Sequence, residues 1–222
     1  MSEEVLIEKS GWRITKYVVG PLSTNTYLLA STEGDALLID PGPGAYAAVS
    51  KALSKQELKL KLILLTHGHF DHFLDAGPLK KVTNAEVLMH RADLPTVNLS
   101  KIAVNYFGLE WREPTVDTLL SGGEHLTAGS LKIKVIHTPG HTPGSVCYHL
   151  PELSLVFTGD TLFRGTVGRT DLPGGSSMEL AKSLEKLAKL PEDTAVLPGH
   201  GPRTLIGTEI RVNPYLMRQT QK

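Results

Sequence analysis

Residues 62–72 read Leu62-Ile63-Leu64-Leu65-Thr66-His67-Gly68-His69-Phe70-Asp71-His72. An apolar run ends on three histidines and an aspartate packed within six residues. Imidazole and carboxylate at this density suit one or two first-row ions such as zinc, manganese or iron. As packing alone the cluster would be costly, since it crowds polar groups at the end of a buried strand with no shared partner. Spacing restricts how it folds. Two residues apart on a helix point in opposed directions, and on a strand His67 and His69 would share a face that His72 leaves. The segment therefore predicts a strand ending near Thr66, a close turn at Gly68, and a helix beginning near Asp71 or His72. Such strand-loop-helix junctions are where α/β proteins place their sites.

The same alternation extends outward. Trp12–Val19, 27–29 and 36–39 read as strands, and Asp40-Pro41-Gly42-Pro43-Gly44 ends the third. Residues 45–56 read as a helix with Val49 and Leu53 at helical spacing, and 61–66 as the buried strand before the histidines. A helix follows from about His72, interrupted by Pro78, and then the strand Glu86–His90. Residues 91–119 have weak periodicity and read as an insertion with a helix or two. Strands are expected at Leu131–His137, 145–150, 154–158 and 195–197. Ser176-x-x-Glu179 is a capping box opening a helix with the stripe Leu180, Leu184, Leu187 and Leu190. Strands and helix repeated in two halves indicate a layered α/β sandwich, read as one domain over residues 1–222.

Composition narrows the function classes. The chain has 222 residues, 41% apolar and 21% charged, with zero formal net charge, ordinary for a globular enzyme. Lysines gather only at 51–61 and at Lys80-Lys81, so nucleic acid is not an expected partner. The single Cys147 excludes an internal disulfide framework and fits a reducing compartment. The start Ser2-Glu3-Glu4 is acidic and followed by three apolar residues, unlike a signal peptide. No apolar run approaches the roughly 20 residues that span a bilayer. The expectation is a cytoplasmic protein with no membrane partner.

Three more positions share one grammar, a β-rich run, a Gly or Pro turn, then a metal-ligand type: His141 in Thr-Pro-Gly-His, Asp160 in Thr-Gly-Asp, and His200 in Pro-Gly-His. Each stands at a strand end that can aim it at a common point. With the first cluster they supply five histidines and two aspartates, enough for two ions and a bridging solvent.

This set, His67-x-His69-x-Asp71-His72 with His141, Asp160 and His200, resembles the metallo-β-lactamase superfamily and specifically its glyoxalase II-like (hydroxyacylglutathione hydrolase-like) branch. The likeness covers about residues 12–205, and the loop Gly-x-Val-Gly-Arg-Thr-Asp is similar to that of its short prokaryotic members. The resemblance implies a four-layer αββα sandwich of two mixed sheets. It implies that His67, His69 and His141 hold one divalent ion, that Asp71, His72 and His200 hold a second, and that Asp160 bridges, with zinc the first choice and iron or manganese the alternatives. Asp71 and Asp160 are then the catalytic carboxylates. β-Lactamases of the superfamily lack a bridging aspartate at the Asp160 position, so antibiotic hydrolysis is not expected. Two divalent ions, two aspartates and a hydroxide leave a charge of about +1, suited to an anionic tetrahedral intermediate.

Around this set, Asp40 is either an acceptor for a ligating imidazole or a turn former before Pro41. Thr66 and Thr138 either orient ligands or bond their own turns. His90, His125, His137 and His149 lack the turn grammar and are read as non-ligands, and Cys147 as a packed residue. Arg164 and Arg169 follow Asp160 closely: either they bind a substrate carboxylate or they pair with Asp171. Arg169 aligns with a basic residue that contacts glutathione in the resembled enzymes.

The leading expectation is hydrolysis of a thioester, an S-hydroxyacyl thiol such as S-lactoylglutathione, because no general acid stands beside the ligands and a thiolate leaves without one. The C-terminal helical region of full-length glyoxalase II has no counterpart in the 22 residues after His200, so the thiol is left open. Alternatives are a mononuclear iron persulfide dioxygenase, using the equivalents of His67, His141 and Asp160, and a lactonase or other ester hydrolase. The 39 residues between Asp160 and His200 leave no room for the domain inserted in the RNA-cleaving branches.

Overall fold

Neighbouring residues of the central strands face different apolar layers. Leu28, Leu38 and Ile63 point to one layer, and Leu29, Leu37 and Leu64 to the next. Likewise Tyr148, Phe157 and Leu197 point one way, and Cys147, Val156 and Val196 the other. A strand with period 2 that is buried on both faces must lie between two packed layers. Among residues 2–220, which the computed structural model describes, this produces two facing sheets with helices outside each, the expected αββα sandwich.

The first sheet runs in chain order through β1 (Ser2–Lys9), β2 (Trp12–Val19), β3 (Thr24–Ser31), β4 (Asp35–Ile39), β5 (Lys59–Leu64), β6 (Glu86–His90) and β7 (Thr118–Leu120). It is antiparallel as far as β4 and parallel beyond. The second contains β8 (His125–Ala128), β9 (Leu131–His137), β10 (Val146–Leu150) and β11 (Leu155–Gly159), then β14 (Ala195–Pro198) and β15 (Thr204–Leu205). Its spatial order is β15-β14-β11-β10-β9-β8, parallel only between β11 and β14. A small hairpin of β12 (Leu162–Phe163) and β13 (Thr166–Val167) stands apart.

Helices α1 (Ala45–Lys55), α3 (Ala76–Thr83) and α4 (Leu94–Tyr106) cover the first sheet, with the single turn α2 (Phe70–Phe73) among them. Helices α5 (Ser177–Leu187), α6 (Ile206–Val212) and α7 (Pro214–Thr220) cover the second. Half of the expected capping box forms: Ser176 Oγ accepts from the Glu179 N–H at 3.3 Å, but the Ser176 N–H donates to the Gly140 carbonyl at 2.8 Å while Glu179 pairs with Lys182. Leu180, Leu184 and Leu187 are buried as expected, each stabilising the docked helix by roughly 1.5–3 kcal/mol, whereas Leu190 lies beyond the helix end, before Pro191.

The structure corrects several boundaries. The helix expected from His72 with a break at Pro78 is two helices, α2 starting at Phe70 and α3 starting at Ala76. Pro78 is the third residue of α3, where its missing N–H would have no intrahelical partner anyway. The insertion 91–119 contains one long helix, α4, and ends by adding β7 to the first sheet. Strand β1, the hairpin β12–β13 and helices α6 and α7 were not anticipated. None of the described helices is long and apolar enough to cross a membrane.

The order of strands puts the ends of β5, β9, β11 and β14 at one edge, so the four turns that follow them meet. Cross-sheet bonds fix the meeting point: Tyr148 Oη donates to the Leu65 carbonyl at 2.8 Å, and Val146 N–H to the Thr66 carbonyl at 2.9 Å.

Candidate metal centre

At that shared edge the structure gathers all seven predicted ligand residues. Donor atoms of His67, His69 and His141 lie within 4.8 Å of one another, as do those of Asp71, His72 and His200, and those of His67, His72 and Asp160. In the first triad His69 Nδ1 stands 3.1 Å from His67 Nε2 and 3.0 Å from His141 Nε2. Ligands at about 2.0–2.1 Å from a tetrahedral ion are separated by about 3.3 Å, so the triad is close to the spacing an ion needs. Asp160 lies between the triads: Oδ1 is 3.5 Å from His72 Nε2, and Oδ2 is 3.6 Å from His141 Nε2 and 3.5 Å from His200 Nε2. His72 Nε2 and Asp160 Oδ1 are buried with no hydrogen-bond partner. A native fold leaves such atoms unsatisfied when a ligand or ion completes them. The donor set therefore fits two divalent ions.

In four of the five rings the other nitrogen is already committed, which fixes the tautomer. His72 Nδ1 donates to Asp40 at 2.9 Å, His141 Nδ1 to the Arg169 carbonyl at 2.8 Å, and His200 Nδ1 to the Leu22 carbonyl at 3.1 Å. His67 Nδ1 donates to Thr66 Oγ1 at 3.0 Å, whose hydroxyl donates to Asp40 at 2.6 Å. Each leaves an Nε2 lone pair aimed into the cluster. Of the two readings of Asp40, the structure supports the acceptor: its carboxylate also takes the Thr66 N–H at 2.7 Å. Asp40 adopts φ +50° at the strand end. Thr24 donates to Asp71 at 2.8 Å.

Sequence reading missed Asp93. It precedes α4 like a helix cap, yet its side chain makes no cap bond. Instead it accepts from the Gly68 N–H at 2.7 Å, the Gly144 N–H at 2.5 Å and Thr142 Oγ1 at 2.7 Å. One buried carboxylate thus joins the loop of His67 and His69 to the loop of His141. Gly68 is needed for this approach rather than for a turn: a Cβ there would lie 2.8 Å from the Asp93 carbonyl oxygen. A Cβ on Gly199 would strike Asp160 Oδ1 and reach 2.6 Å from His72 Cε1, so the backbone before His200 forms part of the cradle.

Electrostatics divide the cluster. Burial, helped by the neighbouring imidazoles, pushes His67 well below the ordinary histidine range and His69 down to about 4. Both are neutral lone-pair donors at pH 7. Burial acts the same way on His72, but Asp71, Asp160 and Asp40 outweigh it and raise that ring well above the usual value. His200 is also raised, burial being outweighed by its bond to Asp71 and the Asp160 charge. Burial would raise Asp71, yet His72 and His200 hold it well below the carboxylate range. A proton on His72 or His200 occupies the place a cation would take.

The centre opens on a cavity of about 630 Å³ lined by His69, Asp71, His141, Asp160 and His200 on its floor. Arg169 stands at its mouth, but its guanidinium makes two 2.7 Å bonds to Asp171, the ion pair that sequence left as the alternative. Arg164 is exposed and is not among the residues lining the cavity. His90 and His137 lie outside the centre, stacked at 4.1 Å, and Cys147 is buried, its thiol pushed up to about 11 by that burial. None of them joins the ligand groups.

Two facing sheets with this cluster at their common edge define a metallo-hydrolase. The chain belongs to the metallo-β-lactamase superfamily, whose profile matches residues 19–200, and fits its glyoxalase II-like branch. It is similar to hydroxyacylglutathione hydrolase GloC of Haemophilus influenzae, 36% identical over 86% of this chain and 92% of that one. Among solved structures it is similar to BLEG-1, described as a B3 metallo-β-lactamase (37% identity, TM-score 0.82, 91% of this chain and 99% of that one). It is similar also to TTHA1623 in a di-iron-bound form (40%, 0.81, 90% and 99%) and to ETHE1 from Myxococcus xanthus (28%, 0.77, 94% and 90%).

Proposed function

We propose that the protein hydrolyses a thioester, an S-hydroxyacyl thiol or a close analogue, with two divalent ions held by His67, His69 and His141 and by Asp71, His72 and His200. The observation that carries this is the Asp160 carboxylate lying between the two triads, Oδ1 toward His72 and Oδ2 toward both His141 and His200. Bound ions would supply hydroxide near neutral pH and positive charge for the oxyanion. His67 and His69 offer neutral lone pairs, Thr66 holds His67 and Asp40 holds His72 in tautomers that aim Nε2 into the cluster, and Asp71 and Asp160 balance the charge. Zinc is the first choice of metal. Iron is supported by the di-iron form of TTHA1623, and manganese remains an alternative.

The thioester is favoured by what the cavity lacks. Outside the cluster, the ionisable residues among the described lining are Tyr106, 85% exposed, and Arg169, already paired. Neither is a buried proton donor for an alkoxide or amine, and a thiolate needs none. The substrate is thus a small acyl-thiol, with neither nucleic acid nor membrane as partner, and a cytoplasmic setting fits the single buried Cys147.

A second reading, the mononuclear iron dioxygenase, is favoured by the likeness to ETHE1 and by the 3.6 Å approach of His141 to Asp160. One panel separates these: S-lactoyl thiols, a lactone, a β-lactam, and glutathione persulfide with an oxygen electrode. Thioester turnover lost in His69→Ala and Asp160→Asn, with unchanged circular dichroism, is the expected result. Oxygen uptake by protein with a single iron, or turnover retained in either variant, would overturn hydrolysis at this centre.

A further inference from the structure

Helix α4 has two apolar faces, and the core needs only one. Val97 and Val104 are buried against the first sheet. Leu99, Ile102, Ala103, Tyr106 and Phe107 recur at helical spacing on another face, and all five line the cavity above the metal ligands. Exposure is large for such side chains at Leu99, 48%, and Ile102, 74%, while Ala103 is partly buried against the core. Leu22, Leu172 and Pro173 stand around the same cavity. From Leu99 to Phe107 the wall is about 12 Å long, and it runs directly into the catalytic floor. Among the described residues of the lining, Arg169 is the sole permanent cation, and Asp171 takes two of its donors.

This surface is poorly matched to a thiol with two carboxylates and an ammonium, each of which needs a partner when it leaves water. It is well matched to a chain of methylenes or an aromatic ring. We infer that the substrate is a thioester with an uncharged apolar arm, a medium-length alkyl or an aryl group, laid along Leu99, Ile102 and Tyr106 while its thioester carbonyl meets the metal centre. The inference rests on the hydrolase reading and adds the substrate class to it. The wall's continuity with the floor of the same cavity is what assigns it to substrate rather than to a second protein.

The test is a ladder of substrates on zinc-loaded protein. One arm varies the acyl group on N-acetylcysteamine from acetyl through butyryl and hexanoyl to octanoyl. The other keeps lactoyl and varies the thiol from glutathione to alkyl thiols, so the two arms tell which side of the thioester lies on α4. In one arm kcat/KM should rise about two- to fourfold per methylene, and Ile102→Ser should lower the octanoyl-to-acetyl ratio, or its thiol counterpart, several-fold. Non-hydrolysable S-alkyl thioethers give the same ladder by calorimetric binding, so the wall is tested even if no thioester turns over, an outcome that would sink the hydrolase reading alone. Flat ladders in turnover and in binding, or a flat acyl ladder together with glutathione preferred over every alkyl thiol, would overturn the inference. So would an Ile102→Ser change that converts a dimer to a monomer and leaves the ladder unaltered.

Discussion

Asp40 serves both halves of the cluster. Its carboxylate takes the His72 Nδ1 proton and the Thr66 hydroxyl, and Thr66 in turn takes the His67 Nδ1 proton. Asp40→Asn keeps the shape but replaces an acceptor oxygen by a donor. It is expected to lower metal affinity about 10–100-fold, measured by competition with a chelator, and wild-type affinity would refute the role. The titrations set a pH dependence. His72 and His200 are raised above the ordinary value, so below their folded pKa each carries a proton that an ion must displace. Affinity at the triad of Asp71, His72 and His200 should therefore grow as pH rises above about 6.5. His67 and His69 are lowered, His69 to about 4, and stay unprotonated through that window. Calorimetry in buffers of different ionisation enthalpy should find proton release on filling the second triad, and its absence would contradict this assignment. The ligand residues were legible because each is a ligand-type side chain in the turn that follows a β-rich run. Asp40 was half legible, and Asp93 not at all, since it reads as a helix cap and its partners are backbone groups remote in sequence.

Elements were legible where burial imposed a period. β2 and β9 alternate, β4 and β5 are short apolar runs buried on both faces, and α5 carries both a cap and a stripe. Leu184 is the centre of that stripe and 2% exposed, so Leu184→Ala should cost about 2–5 kcal/mol in denaturant unfolding. Metal stoichiometry should be unchanged, because Leu184 packs in the outer apolar layer, while Ser176 and Ser183 are what tie α5 to the Pro139-Gly140 turn before His141. A cost below about 1 kcal/mol would mean that the helix is not docked as described. β1 was hidden for the opposite reason: it is an edge strand, mostly exposed, and its charged Glu3, Glu4, Glu8 and Lys9 carry no apolar rhythm. The hairpin β12–β13 has two residues in each strand, too few for any pattern. Buried Glu209 anchors it from α6, accepting from the Gly165 N–H at 2.8 Å and from Asn213 at 2.8 Å, a tertiary bond that no local signal marks. The apolar rhythm of α4 looked weak because its residues serve two surfaces, the core and the cavity.

At the scale of the molecule, two mixed sheets packed face to face bring four strand ends to one edge, and separate turns there deliver histidine or aspartate. Charge neutrality and composition described an ordinary globular chain and gave no hint of where those ends would meet. The layering followed from strands apolar on both faces, and the convergence from the crossover that sets β14 parallel to β11. The most direct measurement is anomalous diffraction from crystals of zinc-loaded protein. Two peaks per chain are expected, one among His67, His69 and His141 and the other among Asp71, His72 and His200, both in contact with Asp160. A single peak, or density away from Asp160, would contradict a paired-ion centre.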